Sequence, residues 1–217
     1  MGRPGSHDAI IRAAAKEHLV PLGFKQKGRS RIWLRDHVWW LSIVEFQPSS
    51  WSKGSYLKVA CMWLWYPQDH IAFHVSERLG RYAEFVDEAS FRPAVDDQAR
   101  LAAEESLKNE QQFQSLQAVL SYLETRLVGS QNHWDYYNAM MAALGCGQID
   151  RAAKRFQSLQ RLGAPYEWCV SLQDRAAHVM TVARGNMASA VEEQVALARE
   201  RLALPPNQVF PRVAADA

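Results

Sequence analysis

Two histidines, His70 and His74, stand four residues apart in the segment HIAFH, a spacing that suits a metal site on a helix. The alternation of apolar and polar residues around them predicts a strand instead. On a strand the two side chains would share a face but lie roughly 13 Å apart, too far to bind one metal ion. We therefore predict no metal site and no cofactor here.

Basic and aromatic residues are interleaved in the segment FKQKGRSRIWLR, around Trp33. Its cations are Lys25, Lys27, Arg29, Arg31 and Arg35. Cations for phosphates and rings for base stacking are what single-stranded nucleic acid requires. The same charges would also protect an edge strand from pairing with another sheet. Because the net charge is only +2, the edge-strand interpretation is favoured and nucleic-acid binding is the alternative.

Polar side chains end a predicted strand at Gln47, Ser49 and Ser50, next to Trp51. Polar groups beside an aromatic ring can bind a small ligand, so an enzyme acting near the Gln47 to Trp51 loop is a second alternative. Pro48 supports a loop-forming role equally well, because proline ends a strand ladder.

The cysteines Cys61, Cys146 and Cys169 are widely spaced and form no CxxC pair. This pattern predicts reduced thiols in a cytoplasmic protein. A nucleophilic Cys146 would need a neighbouring histidine, which the sequence does not place. No GxSxG, HExxH, P-loop or GxGxxG motif occurs, and we predict no catalytic residue.

Alternating residues predict the sheet that would position these candidates. A first helix is expected at about 7–21, capped by Ser6, followed by three or four antiparallel strands. Six of the eight tryptophans lie between residues 33 and 65. One predicted face is apolar: Ile32, Leu34, Trp39, Leu41 and Ile43, with Leu57, Val59, Cys61, Trp63 and Trp65 from the next strand. We expect Trp39, Trp63 and Trp65 to pack under the first helix.

The other predicted face is mixed, and it carries most of the candidate site residues. A two-residue hairpin turn at Asp36-His37 would place Trp33 opposite Trp40. Candidates expected on this face are Arg31, Trp33, Arg35, Trp40, Tyr56 and Lys58. Since two tryptophans on a solvated face are unfavourable, we expect the C-terminal helices or a partner to cover them.

Helical periodicity replaces alternation after about residue 80. Apolar positions from Met141 to Leu159 recur from Val179 to Leu197, which resembles stacked helical hairpins of the tetratricopeptide kind. A plain helical bundle is the alternative, and it is slightly favoured. The predicted fold is therefore α+β, with a helix on a three- to four-stranded antiparallel meander and an all-helical C-terminal half. The predicted domains are 7–128 and 130–204, with an extended tail at 205–217.

The N-terminal part also resembles a family of bacterial proteins catalogued as a domain of unknown function. The shared pattern is Leu-x-x-x-Gly-Phe, a Lys-x-Gly turn, Gln-x-Ser at a strand end, and a later His before Arg-Leu. Here these are Leu19 to Phe24, Lys27-Gly28, Gln47 to Ser49, His74, and Arg78-Leu79. The resemblance covers roughly residues 10–125 and departs at Cys61-Met62-Trp63, where the family has small residues. It implies a fold and domain limits but no catalytic residue.

The residues together favour a non-catalytic binding or protein-interaction module in the bacterial cytoplasm. A protein partner is expected, nucleic acid is the less favoured partner, and no membrane span is predicted because no apolar segment is long enough.

Overall fold

A computed structural model describes residues 6–206, with side chains from residue 7 onward. The fold is α+β as predicted, with one N-terminal helix, an antiparallel sheet and then helices. The helices are α1 Ser6–Leu19, α2 Glu88–Gln112, α3 Leu116–Thr125, α4 His133–Gly145, α5 Ile149–Arg161, α6 Glu167–Ala183 and α7 Met187–Arg201. The strands are β1 Lys25–Gln26, β2 Ile32–Asp36, β3 Trp40–Gln47, β4 Gly54–Trp63 and β5 Val75–Glu84.

The chain divides into two compact units. Of the described residues, the first unit comprises 6–62 and 71–111, and the second comprises 63–70 and 112–206. Helix α3 and the segment after β4 thus group with the C-terminal helices, whereas the sequence placed a domain boundary near residue 129. Most of the predicted tail, from residue 207 onward, lies outside the described residues.

The five strands of the first unit follow one another as a meander in the order β1-β2-β3-β4-β5. Helices α1 and α2 pack on one face of this sheet, which we call the helix-packed face. Its buried strand residues are Trp33, Val44, Phe46, Leu57 and Val59. His18 of α1 and Asp96 of α2 are joined by a 2.8 Å contact, which ties the two helices together.

The prediction for the first helix was wrong about which face of β2 and β3 it covers. Trp33 and Val44, placed on the mixed face, lie in the core with α1 and α2. The apolar set that includes Leu34 and Ile43 therefore lies on the other face, because side chains alternate along a strand. Both faces of these strands carry enough apolar residues to be buried, so hydrophobicity alone did not identify the helix-packed face.

The β2–β3 hairpin also has a different register from the predicted one. Trp33 pairs with Val44, not with Trp40, and Asp36 pairs with Leu41. Val38 sits in the intervening loop with φ of 73°, a left-handed conformation that β-branched residues rarely adopt. No sequence pattern indicates such a loop, and the prediction of a two-residue turn was wrong. The observed register differs from the predicted one by an even number of residues. The same residues therefore share each face as in the prediction.

The fourth strand of the prediction was displaced. Residues 70–74 are not a strand, and β5 begins at Val75. The separation of roughly 13 Å predicted for His70 and His74 assumed a strand, so it does not apply. Strand β5 was missed because its sequence, VSERLGRYAE, lies at the sheet edge with mostly exposed side chains and lacks an apolar alternation.

The second unit is mainly helical, and its core contains Trp63 at the end of β4 and Trp65 just after it. Trp63 and Trp65 stack with ring centroids 5.5 Å apart, and Phe113 meets Trp63 edge-on at 5.1 Å. Trp65 donates its Nε1–H to Asn138 at 2.8 Å. Both tryptophans are buried as predicted, but they lie in this core and not under the first helix.

Among the C-terminal helices, α4 packs against α5 and α6 packs against α7. No strand occurs between residues 130 and 200, all of which the structure describes. None of the described helices is both long and apolar enough to cross a membrane.

Candidate anion-binding clefts

The candidate site residues fall into three places, although six of them were predicted to share one face of the sheet. Trp33, Arg35 and Trp40 lie on the side of the sheet that faces α1 and α2. Gln47, Tyr56 and Lys58 lie on the opposite face, since their neighbours Phe46, Leu57 and Val59 are on the helix-packed face. Arg31, Ser49 and Trp51 surround clefts at one end of the sheet. The predicted single face was therefore wrong.

The larger cleft has a volume of about 850 Å³ and lies between α1 and the β1–β2 turn. Asp8 and Arg12 line it from the helix, while Arg29 and Arg31 line it from the turn and the start of β2. Trp33 also lines the cleft, but only 2% of this residue is exposed. Three arginines therefore line one concave surface.

The β1–β2 turn that presents Arg29 is closed by its own hydrogen bonds. Ser30 donates both its backbone N–H and its hydroxyl to the carbonyl of Lys27, at 3.1 and 2.7 Å. Gln26 donates its amide to the carbonyl of Ser30 at 2.6 Å. Gly28 takes φ of 57°, which glycine adopts without strain. The turn holds Arg29 at the cleft rim with an exposed side chain.

Arg31 is fixed between two segments. Its Nε donates to Asp8 Oδ1 at 2.8 Å, and its second nitrogen lies 2.6 Å from the same oxygen. Its third nitrogen donates to the carbonyl of Gly54 at 2.9 Å. Gly54 must be glycine, because a Cβ there would collide with the carbonyl of Ala83. Arg31 thus links α1 to the start of β4 and forms a rigid wall of the cleft.

Arg12 differs from Arg31 because no described carboxylate pairs with it. Its Nε is buried and has no hydrogen-bond partner among the described residues. A buried polar group without a partner is unfavourable by roughly 1–3 kcal/mol, and more for a charged group. An anionic group entering the cleft would remove part of that penalty.

The loop after β3 forms a second, smaller cleft of about 330 Å³ that shares Arg31 and Pro48 with the first. Trp51 in this loop is 94% exposed. The loop is held at its far end, where Tyr82 donates its hydroxyl to the carbonyl of Ser52 at 2.9 Å. Ser49 accepts the backbone N–H of Trp51 at 3.1 Å. These bonds present the indole of Trp51 to solvent beside the arginines.

Glu45 of β3 is the second carboxylate of the larger cleft. Burial raises the pKa of Glu45, and the neighbouring Lys58 partly offsets this effect. The folded protein therefore binds this proton more tightly than the unfolded chain, in which a glutamate has a pKa of about 4.3. Its contribution to stability is greatest at low pH and declines as the pH rises through the folded-state pKa.

We expect Glu45→Gln to stabilise the protein at neutral pH, because the variant no longer buries a charge. The difference in the free energy of unfolding from the unaltered protein should vanish at low pH, where Glu45 is protonated in both states. Urea unfolding at a series of pH values measures this difference. Glu84→Gln, an exposed change on β5, is the matched control. A less stable Glu45→Gln at neutral pH would show that attraction to Lys58 outweighs burial.

Arg35 and Trp40 take part in a separate cluster at the end of α2. Arg35 forms an ion pair with Glu110, and His37 lies 3.6 Å from the same carboxylate. His37 stacks on Trp40 with centroids 4.0 Å apart and contacts Ser42 at 3.1 Å. Burial and the nearby Arg35 lower the pKa of His37 to about 4. This neutral imidazole packs between partners, so the cluster supports the fold and offers no open site.

The cysteines carry no sign of activation. Burial raises the pKa of Cys61 far above its usual range and that of Cys146 to about 11. A reactive thiol needs the opposite shift. Among residues 7–206, no group of three or more His, Cys, Asp or Glu side chains is placed to hold a metal ion.

Arg31, Trp33, Ser49 and Trp51 were predicted as site residues, whereas Asp8 and Arg12 were not. These two lie on the first helix, where a charged residue is ordinarily interpreted as part of a solvated face. Only the folding of α1 over the start of β2 brings Asp8 to Arg31, across 23 positions of sequence.

The fold and the clefts define an α+β protein with an arginine-lined surface cleft and an exposed indole at its rim. Comparison with protein-family models, with curated proteins and with solved structures gave no match. Membership of the domain-of-unknown-function family and the tetratricopeptide kinship of the C-terminal helices stay predictions.

Proposed function

We propose that this protein is a non-catalytic binding protein and that its arginine-lined cleft receives an acidic segment of a protein partner. The observation that carries the proposal is the position of Trp51, 94% exposed, on a loop that shares Arg31 with the arginine cleft. Tryptophan and arginine are the residues that most often dominate the energetics of protein interfaces. Here they lie on adjoining concave surfaces.

Trp51 supports the proposal because a fully exposed indole leaves a large apolar surface in water. Burying an aromatic side chain of this size against a partner would contribute several kcal/mol. Its loop is anchored through Ser52 and Tyr82. Less conformational entropy is therefore lost when the ring binds a partner.

The charges of the cleft favour a partner with carboxylates. Arg12 has a buried Nε without a partner, while Arg31 is held by Asp8 in a fixed orientation. Guanidinium groups form paired hydrogen bonds with carboxylates. Asp8 and Glu45 at the same cleft would repel a continuous run of phosphates, which favours a peptide that mixes acidic and apolar side chains.

The test is fluorescence anisotropy with a labelled peptide of repeated Asp-Leu-Glu triplets and, separately, a labelled oligothymidylate. We expect the peptide to bind the full chain, and Trp51→Ala and Arg12→Gln each to weaken this binding about tenfold or more. Trp168→Ala and Arg92→Gln remove an exposed indole and an exposed guanidinium elsewhere, and should leave the affinity unchanged.

Equal binding by all four variants would contradict the proposal, because non-specific charge attraction would then explain the affinity. So would the absence of peptide binding by the unaltered chain. Circular dichroism of each variant checks that the fold is intact, since both Trp51 and Arg12 can be altered without opening the sheet.

Single-stranded nucleic acid is the second candidate, and one observation favours it. Arg29 and the ring of Trp51 are both exposed near the same clefts, and an exposed ring beside cations can stack a base. In this case oligothymidylate would bind more tightly than the peptide, with an affinity that falls steeply as salt rises. Trp51→Ala would then weaken the oligonucleotide and spare the peptide.

A further inference from the structure

Three aromatic rings of the second unit form a stepped series at the start of α6, which we call the ring ladder: Trp134, Trp168 and Tyr166. Trp134 and Trp168 are parallel within 6°, with centroids 6.3 Å apart. Trp168 and Tyr166 are parallel within 12°, with centroids 6.4 Å apart. Parallel rings at such distances are offset, so each covers only part of its neighbour. Exposure rises from the half-buried Trp134 to 46% for Trp168 and 63% for Tyr166.

The inner part of the ring ladder is fixed by packing against α4. His133, which is 7% exposed, meets Trp168 at a steep angle with centroids 5.6 Å apart. Tyr66 meets Trp134 edge-on with centroids 4.8 Å apart. The indole of Trp168 is therefore held in one orientation although nearly half of the residue is exposed. A surface that is already ordered loses little conformational entropy when it binds a partner.

The polar tips of the two outer rings are available to a ligand. Among the described residues, neither Trp168 nor Tyr166 forms a side-chain hydrogen bond, and their side-chain contacts are to other rings. The indole N–H and the phenol hydroxyl are both hydrogen-bond donors. Glu167 is the only charged residue between positions 162 and 173. The ring ladder therefore suits a ligand with apolar groups and hydrogen-bond acceptors but without acidic side chains.

The exposed area of the ring ladder indicates the size of its partner. An aromatic side chain has roughly 150–250 Å² of surface, so the exposed parts of Trp168 and Tyr166 amount to roughly 150–300 Å². A stable dimer or globular complex buries roughly 800 Å² on each partner. The ring ladder is thus too small for a second copy of the chain and matches a short peptide. With so little area, only a peptide that loses little conformational entropy can bind measurably.

We propose that the ring ladder binds a proline-rich segment of a protein partner in the polyproline II conformation. Such a segment is already ordered before it binds, and aromatic surfaces are its usual recognition sites. It has no internal hydrogen bonds, so its backbone carbonyls can accept from Trp168 Nε1–H and the Tyr166 hydroxyl. It rises roughly 3.1 Å per residue, so roughly four residues cover the two ring-to-ring steps. This site does not depend on the arginine cleft, which belongs to the first unit.

The test is fluorescence anisotropy of the full chain with two labelled peptides of equal length, one of repeated Pro-Pro-Leu triplets and one of repeated Gly-Gly-Leu triplets. Both carry the same leucines, but only the first favours polyproline II before binding. We expect the proline peptide to bind about tenfold more tightly or better. Trp168→Ala should weaken its binding about tenfold or more. Tyr166→Phe keeps every ring and removes one donor, so it should weaken binding about threefold.

Trp51→Ala is the matched control, because it removes an exposed indole from the first unit. It should leave the affinity for the proline peptide unchanged while weakening the acidic peptide, and Trp168→Ala should do the reverse. Failure of one proposal is therefore distinguishable from failure of the other. Because the triplets carry no charge, the affinity for the proline peptide should change less than about twofold between low and high salt.

Several outcomes would overturn the proposal. Equal affinity for the two peptides would show that the ring ladder accepts any apolar segment. No binding of the proline peptide, or equal weakening by Trp51→Ala and Trp168→Ala, would exclude the site. Sedimentation equilibrium tests the remaining occupant, a second copy of the chain. A monomer is expected, and a dimer that Trp168→Ala dissociates would show that self-association covers the rings.

Discussion

Trp63→Ala is expected to lower the free energy of unfolding by about 3–5 kcal/mol, the range for truncating a large aromatic side chain in a core. Trp63 has no exposed surface. It stacks against Trp65 and meets Phe113 edge-on, so the alanine variant loses both ring contacts and leaves a cavity. Urea unfolding followed by circular dichroism measures the loss.

Trp51→Ala is the matched control for this change. It also removes an indole, but one that is exposed and makes no core contact, so its effect should stay within about 0.5 kcal/mol. Trp63→Phe should fall between the two because it retains one ring. An unfolding midpoint for Trp63→Ala equal to that of the unaltered protein would show that Trp63, Trp65 and Phe113 do not form a packed core.

Trp33→Ala should be similarly destabilising, by about 3–5 kcal/mol. Trp33 is 2% exposed and packs with Val44 and Phe46 beneath α1. Trp33 also lines the larger cleft. We therefore expect the variant to lose both stability and affinity for the acidic peptide, because Arg12 of α1 would no longer be held against β2.

This result discriminates between the structure and the sequence-based assignment of faces. A Trp33 that pointed away from the first helix could be replaced by alanine with little loss in the free energy of unfolding. Amide hydrogen exchange provides the positional readout. Increased exchange in α1 and β2 is expected, and an increase confined to the C-terminal helices would contradict the packing described here.

Much of the fold could be predicted from residue patterns because they follow local geometry. Alternation in β2, β3 and β4 predicted strands and also sorted Leu57 and Val59 correctly onto one face. The helical periodicity noted after about residue 80 correctly predicted helices in the C-terminal half. Such patterns arise because one side of a helix or strand is buried. They can be recognised wherever that side is clearly more apolar than the other.

The errors arose where burial did not distinguish the alternatives. Strands β2 and β3 are apolar on both sides, so their sequence does not say which side meets a helix. Strand β5 has an edge position and few apolar residues, which removes its signal. The loop at Val38 depends on a backbone conformation that is unusual for valine, and no residue preference predicts it.

The candidate site was less predictable than the fold, because it is assembled from distant segments. Arg31 and Trp51 were recognisable by residue type and by position near a strand end. Arg12 was not, since its role depends on how α1 crosses the sheet. Trp33 and Tyr56 were predicted to share one face of the sheet but lie on opposite faces. This error has the same cause as the error about the helix-packed face.

The course of the chain after β4 has a consequence for how the protein loses its structure. Residues 63–70 belong to the second unit, while the segments before and after them belong to the first. Strand β4 therefore begins in one unit and ends, at Trp63, in the other. Cleaving the polypeptide at one position cannot separate the two units, because β5 and α2 of the first unit come after residues 63–70 in the sequence. A substitution that unfolds the helical core should therefore also destabilise β4. We expect calorimetry to record one unfolding transition for the whole chain, whereas two separable domains would give two.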